Sequence, residues 1–436
     1  MAYTYDITKS KSDKTSSGCL LACHIILCIV ELFLSTFLVA HIYDLSSDIN
    51  EYIFNVGVYY IWTYLSMLII YYVLSIFVEK TNRVWFYRIG LLFGAGLVIL
   101  VVFCGQNIAS MLTLAGILYG TFHAFYYASY NVIKQEMVSR NSMKKFATMS
   151  TVLSKVMNIV APIALGALIE VSTYTQVSIY VLIICAIQIA ISFGIKSQKP
   201  SGSKFDMKGY FKKLKENPEV GKKLKFLYCI YCIYGFTTVV TPLMNICIMM
   251  QFGSSFSLGT ITSVFAVVST ILLVLVSRFT IENKRNWLYI ISSILPVATC
   301  ILFVAMPNVT TLMIYQAGVS IAGSIYPLIA DIYRNATLKE AGLYSEIAEH
   351  HTVIESLLCI FRVIGFGIVI LLGAIGSQLL FNIFLVIFVL SNTGVLLGLM
   401  MFENKYRKSY KSLETNKNND IIVLQSAQNG ETHENN

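Results

Sequence analysis

Glu31 lies twelve residues into an apolar run that opens at Cys19 and closes near Ala40. As helix this places it about 18 Å along the axis at ~1.5 Å per residue, near the middle of a ~30 Å hydrocarbon core. An ionisable group at that depth is costly and faces a cavity or a partner by default. Removal from water favours the neutral acid, which suits a group that loads and unloads a proton. Pairing with a neighbouring helix is the plainer role. Lys155 and Arg362 also lie within apolar runs. One on each side, they could grip an anion, the arginine with two parallel hydrogen bonds. Asn158 follows Lys155 by three residues on one helix face. Glu355 precedes Arg362 by seven, again on one face, so Arg362 either holds an anionic solute or pairs with Glu355. Lys155 is near enough to the end of its run to snorkel out. His123 could relay protons or serve as a hydrogen-bonded structural group. His350 and His351, where a run begins, read as interfacial.

These residues need helices to hold them. The sequence contains twelve apolar runs of 19 to 27 residues: Cys19–Ala40, then 52–78, 85–103, 109–131, 147–169, 175–195, 224–250, 257–277, 287–306, 311–333, 351–373 and 379–402. Each is long enough to cross the bilayer as helix. None of the 32 Lys and Arg falls in the connections 41–51, 104–108, 170–174, 251–256, 307–310 and 374–378. They gather at the two ends and around the other five connections. Positive charge in short loops marks the cytoplasmic side, so both ends are expected in the cytoplasm and the chain in the cell membrane.

Hydrophobic residues make up 56% of the chain and charged residues 13%, far from the balance of a soluble domain. The net charge of +9 follows from topology and from anionic headgroups, and does not point to nucleic acid. Most of the ten cysteines lie inside runs, where they act as small apolar residues. Cys229 and Cys232 form a C-x-x-C outside the strand context of a redox motif. No G-x-x-x-x-G-K-[ST] phosphate loop is present, so uphill movement would draw on a gradient or a partner. No nucleophile–base set or metal-ligand cluster stands out, so an enzyme has no support and no cofactor is called for. The first eighteen residues are polar, and the first run lacks a small-residue cleavage site; it reads as a retained helix rather than a signal peptide.

The chain divides into a cytoplasmic segment 1–18, six runs over 19–195, a basic linker 196–223, six runs over 224–402 and a tail 403–436. Lys196–Lys225 holds ten lysines against Asp206, Glu216 and Glu219. Within it Met207, Tyr210, Phe211 and Leu214 make one apolar helical stripe, and Pro218 and Gly221 interrupt it. A basic amphipathic helix of this kind lies on the cytoplasmic membrane surface; a solvated tether is the alternative. The tail, rich in Lys, Asn, Ser, Gln and Glu, is expected to be disordered.

The two sets of runs repeat one another. Glu79-Lys80-Thr81-Asn82-Arg83-Val84-Trp85-Phe86-Tyr87 follows the second run, and Glu282-Asn283-Lys284-Arg285-Asn286-Trp287-Leu288-Tyr289 follows the eighth. Gly120 through Tyr130 in the fourth run corresponds to Gly323 through Tyr333 in the tenth. Duplicated six-helix halves are a transporter signature, with the solute held between them near the midplane.

At these residues the chain resembles the major facilitator superfamily over 19–402. The family's loop motif, Gly-x-x-x-Asp-Arg/Lys-x-Gly-Arg-Arg/Lys, meets Ser75, Glu79, Lys80, Asn82, Arg83 and Val84. The acid and two bases are kept. Asn82 stands where the motif has Gly, and can take a left-handed backbone as Gly does. Ala161-Pro162-Ile163-Ala164-Leu165-Gly166 is similar to the Gly-Pro-x-x-Gly-Gly of drug/proton antiporters, but the fourth-helix Arg of many proton-coupled antiporters is replaced by Gly near 116. Within the family the chain looks most like transporters of low-GC Gram-positive bacteria. The resemblance implies an all-α membrane protein of twelve helices in two pseudo-symmetric bundles rocking about a central cavity. It also implies that Glu79, Lys80, Arg83, Glu282 and Arg285 latch the cytoplasmic side. The function expected is that of a monomeric secondary transporter for a small-molecule solute, coupled to H+ at Glu31, with an organic anion as first choice. A multidrug or amphiphile exporter, or a sensor or assembly protein on a transporter fold, is the alternative. Tyr59, Tyr60 and Tyr64, Phe122, Tyr126 and Tyr130, and Tyr228, Tyr231 and Tyr234 supply rings for belts or for a cavity wall, and Thr241-Pro242 and Pro327 supply kinks for gating.

Overall fold

The computed structural model describes residues 11–78, 81–137, 140–196, 205–279, 285–321, 337 and 346–431. These residues form helices joined by short turns. Backbone groups in hydrocarbon have no water to bond, and a helix satisfies them internally. Eight segments are long and apolar enough to cross a membrane, and shorter apolar helices cover Ser255–Ile271, Tyr289–Ala305 and Val309–Ile321. Large apolar side chains such as Ile69, Leu92 and Ile183 point outward and more than half exposed, as lipid-facing residues do. The protein is a multi-pass membrane protein.

The first run is not one regular helix. α1 (Lys11–Leu32) passes into a π-helical segment, Phe33–Phe37, and then α2 (Leu38–Leu45). A π turn shifts carbonyls off the regular ladder. Two tyrosines of α3 (Ile49–Val78) meet them: Tyr59 donates to the Leu34 carbonyl at 3.0 Å and Tyr60 to the Ser35 carbonyl at 2.7 Å. After α4 (Arg83–Cys104) a 3-10 segment, Gly105–Met111, leads into α5 (Leu112–Met137). α3 and α5 approach through Gly116 and Gly120. A Cβ on Gly116 would stand 2.5 Å from the Tyr59 carbonyl oxygen, and one on Gly120 would overlap the Thr63 carbonyl. Small residues four apart allow this backbone contact between spans. The same contact leaves no room at 116 for an arginine. α6 (Arg140–Val171) and α7 (Tyr174–Ser192) complete the first half.

Asn82 has φ −64° and ψ 105°, an extended N-cap whose side chain accepts from Val84 N at 3.1 Å. It does not take the left-handed backbone expected of it, because capping α4 needs an extended residue there.

The linker helix α8 (Met207–Glu216) docks on protein, with Tyr210 and Leu214 buried. Of the stripe read from sequence as lipid-seeking, Tyr210 and Leu214 are covered by α9 (Pro218–Thr237) and the start of α14 (Ile347–Ile375), Met207 packs against them, and Phe211 stays exposed. Tyr210 Oη meets Tyr228 Oη at 2.5 Å and His350 Nδ1 at 3.0 Å, Asp206 N donates to Glu349 Oε1 at 2.8 Å, and Lys213 pairs with Glu346. His350 is thus a buried docking residue rather than an interfacial one.

The seventh run breaks into α9 and α10 (Val240–Phe252). Pro242 cannot donate to the carbonyl four residues back, that of Thr238, and the break falls there. α11 (Ser255–Phe279), α12 (Arg285–Ala305) and α13 (Val309–Ile321 in its described part) precede α14 in the chain, and α15 (Gln378–Glu431) follows it. α15 continues as helix past Phe402; no Gly or Pro interrupts it between Gly398 and Gly430. α14 packs along α3. A Cβ on Gly57 would stand 2.6 Å from Ile370 Cγ1, one on Gly373 would stand 2.5 Å from Phe54 N, and Thr352 Oγ1 donates to Ser75 Oγ at 2.8 Å. The helix that carries Glu355 and Arg362 is therefore held against the first half at both ends.

Candidate functional site

A cavity of about 330 Å³ lies between the two halves. α1 and its π turn contribute Glu31, Ser35 and Thr36; α3 contributes Tyr60, Thr63, Tyr64 and Met67; α5 contributes Tyr119, His123 and Tyr127. From the second half come Thr238, Thr241, Pro242 and Asn245 at the α9–α10 break, and Glu355 and Arg362 of α14.

The acidic wall is built on Glu31. Tyr127 Oη donates to its two oxygens at 3.3 and 3.4 Å, and His123 Nε2 lies 3.8 Å from Oε1. His123 is clamped by rings: Tyr119 stands edge-on with centroids 4.4 Å apart, and Tyr127 stacks at 5.5 Å. The Glu31 side chain keeps 33% of its surface open and that of His123 13%. A carboxyl held by one phenol and one imidazole, with a third of its surface free, can exchange a proton with whatever fills the space.

The basic wall is Arg362. Its guanidinium lies 4.8 Å from the Tyr64 ring centroid, and Nε donates to Thr238 Oγ1 at 3.2 Å. Stacking and one hydrogen bond fix the plane of the fork. Glu355 is within electrostatic reach of Arg362, and Tyr64 within reach of both Arg362 and Glu31. Phe366, buried on α14, stacks on Tyr60 at 4.7 Å and on Tyr64 at 5.7 Å, so the aromatic wall joins the halves beside the cavity.

Of the residues singled out by sequence, Glu31, His123, Glu355 and Arg362 come together here. Lys155 is half-buried and Asn158 exposed on α6, and neither lines this cavity. Arg83 is buried at the first residue of α4. Arg285 opens α12, with its side chain outside the described residues, as are Glu79, Lys80, Glu282, Pro327 and the repeat segment Gly323–Tyr333. Sequence reasoning named Phe122, Tyr126 and Tyr130 on the fourth run. Those three are buried away from the cavity, Tyr126 meeting His24 Nδ1 at 3.1 Å. The cavity face is Tyr119, His123 and Tyr127 instead. The signal was the four-residue spacing about His123, the one imidazole on that helix face. Ser35 and Thr36 gave no signal, since a π turn is not readable from residue types.

The fold is shared with solved membrane transporters. A POT family transporter in complex with 5-aminolevulinic acid superposes with a TM-score of 0.65 at 12% identity, covering 89% of this chain and 96% of that one. The nucleoside transporter NupG gives 0.62 at 12% identity, over 89% and 99%. In sequence, an uncharacterized protein of Bacillus subtilis, YqgE, is 23% identical over 278 residues; the match spans 63% of this chain and 63% of that relative's length. The family model for the Major Facilitator Superfamily matches residues 20–348, and the chain, with its helical spans closing on a charged central cavity, belongs to that superfamily.

Proposed function

We infer that this protein is a secondary active transporter that moves a small solute across the cell membrane by alternating access. The observation that carries the inference is that Glu31, from the first half, and Arg362, from the second, face one cavity built by both halves. A site shared in this way changes its access when the halves rock. The proposed architecture has twelve spans, six over 19–195 and six over 224–402, joined by the linker 196–223. Supporting the count, the apolar segment Arg83–Lys134 is 52 residues long. At ~1.5 Å per residue it would reach about 78 Å, more than twice a ~30 Å core, so α4 and α5 are two crossings. The three shorter apolar helices add three more. Both ends are proposed to be cytoplasmic, from the charge bias of the loops.

The solute proposed is a small organic anion whose negative group meets the fork of Arg362, with a proton carried on Glu31. One of the structural neighbours holds 5-aminolevulinic acid and another a thioalcohol-conjugated peptide, small solutes that support this size class. Lys155 and Asn158 would act on α6 in another state of the cycle. Glu79, Lys80, Arg83, Glu282 and Arg285 would form the cytoplasmic latch, so Arg83→Ala should slow transport. The tyrosine walls favour a second reading, export of an amphiphile. A thermal-shift screen of purified protein separates the two, since a ligand that binds the folded state raises its melting temperature. Organic anions should shift it, and the shift should vanish in Arg362→Ala; shifts from uncharged or cationic amphiphiles alone would overturn the anion.

A further inference from the structure

Met207, Tyr210 and Leu214 of the α8 stripe are spent on protein, and Phe211 is left on the outer side among lysines. Lys208, Phe211, Lys212 and Lys215 stand at i, i+3, i+4 and i+7, all exposed, with Phe211 at 44%. They share one helix face. A phenyl ring flanked by three ammonium groups is the pattern of an interfacial basic helix. α8 packs on the polar first turns of α9 and α14, just before their apolar runs begin at 224 and 351, which sets this face beside the end where both helices would enter the membrane. Lys222 and Lys225, exposed on the first turns of α9, extend the same positive zone. The acids nearby offset it only in part: Glu216, 3.8 Å from Lys212, and Glu219 are the exposed acids beside these five lysines.

We propose that the outer face of α8 is a docking surface for anionic phospholipid, with Phe211 in the headgroup–acyl boundary and Lys208, Lys212 and Lys215 on the phosphates. The chemistry is that of an interfacial basic helix, with each lysine near an anionic surface changing the partition by about five-fold. The difference from a free amphipathic helix is that α8 is wedged, one side on lipid and the other on α14 through Lys213–Glu346, Asp206–Glu349 and Tyr210–His350. Since α14 carries Glu355 and Arg362 into the cavity, the lipid surface is joined to the proposed solute site through one rigid helix. The lipid contact stands on the α8 geometry alone and needs no transported solute for its test.

The test is the melting temperature of the full-length protein in neutral detergent, titrated with phosphatidylglycerol, phosphatidylcholine or inorganic phosphate. Phosphatidylglycerol should raise it; phosphatidylcholine and phosphate should not. The triple variant Lys208→Gln, Lys212→Gln, Lys215→Gln leaves the docked side of α8 untouched and should melt like the parent without lipid while losing most of the phosphatidylglycerol shift. Phe211→Ser should lose part of it, and raised salt should shrink it in the parent. An equal shift in parent and triple variant would overturn the proposal, as would no shift in the parent. An equal shift from inorganic phosphate would make this an anion site and not a lipid surface. Should the triple variant melt lower without lipid, charge reversal at Lys212 alone decides: an undiminished shift overturns the proposal and a reduced one supports it.

Discussion

Tyr127 donates to both oxygens of Glu31, at 3.3 and 3.4 Å, from the α5 face that also brings His123 to 3.8 Å of the same carboxyl. Acid and partners come from helices about 95 residues apart in sequence, and the α3–α5 contact at Gly116 and Gly120 sets the wall on which they meet. Glu31→Gln imitates the protonated acid at nearly constant shape. In proteoliposomes it should abolish accumulation driven by a pH gradient while solute exchange persists in part. Undiminished pH-driven accumulation in this variant would remove Glu31 from the coupling step.

Arg362 is fixed by the Tyr64 ring and by Thr238. Arg362→Lys keeps the charge but loses the Nε donor and the planar stack. A lysine ammonium cannot give an anion the two parallel hydrogen bonds of the guanidinium fork, and a hydrogen bond to a charged group is worth about 1.5–3 kcal/mol, so solute affinity should fall roughly ten-fold or more. Arg362→Ala should lose more. The measurement is a binding isotherm on purified protein; unchanged affinity in the lysine variant would mean that the solute does not touch the guanidinium.

The apolar helices were readable from sequence because the bilayer imposes length and hydropathy on any chain that crosses it. Glu31, His123, Glu355 and Arg362 stood out because ionisable groups in such runs are rare. What the sequence hid was angular. Lys155 carries the same signal as Arg362, yet lines no part of this cavity, because run position gives depth and not the face a span turns inward. The π turn at Phe33–Phe37 hid Ser35 and Thr36 in the same way, rotating the helix by a residue that no motif announces. The docking of α8 was equally silent: an amphipathic stripe fits lipid or protein alike, and only partners such as Tyr228 and His350, 18 and 140 residues away, decide between them.

Gly120 and Gly57 should be intolerant of side chains. A Cβ at either would overlap a neighbouring helix, and overpacking of this kind costs ~1–3 kcal/mol. Gly96 on α4 has nothing within 4 Å of its Cβ position, so Gly96→Ala should be neutral or stabilise by about 0.4–1 kcal/mol. Thermal melts of Gly120→Ala, Gly57→Ala and Gly96→Ala in detergent give the order directly. Equal melting temperatures would show that the α3–α5 and α3–α14 contacts can open to admit a methyl group.

Topology can be read by cysteine labelling, provided the probe positions do no structural work. Thr173 caps α7 with a reciprocal pair to Gln176, and Asn308 accepts from Thr311 N at 3.0 Å; a cysteine at either would cost a cap worth ~1 kcal/mol. Val171 is 82% exposed and Met306 60% exposed, beside the same two connections, and neither holds a cap. Cys229 is exposed and Cys19, Cys28, Cys104 and Cys232 are half-buried, so the native cysteines must be replaced first. In intact cells Val171→Cys and Met306→Cys should react with a membrane-impermeant maleimide. Glu216→Cys, exposed where α8 ends, should react only after permeabilisation. All three connections are short, so the lysine-rich side should remain inside. The reverse pattern would place the basic linker outside, and with it the face of α8 that carries Lys208, Lys212 and Lys215.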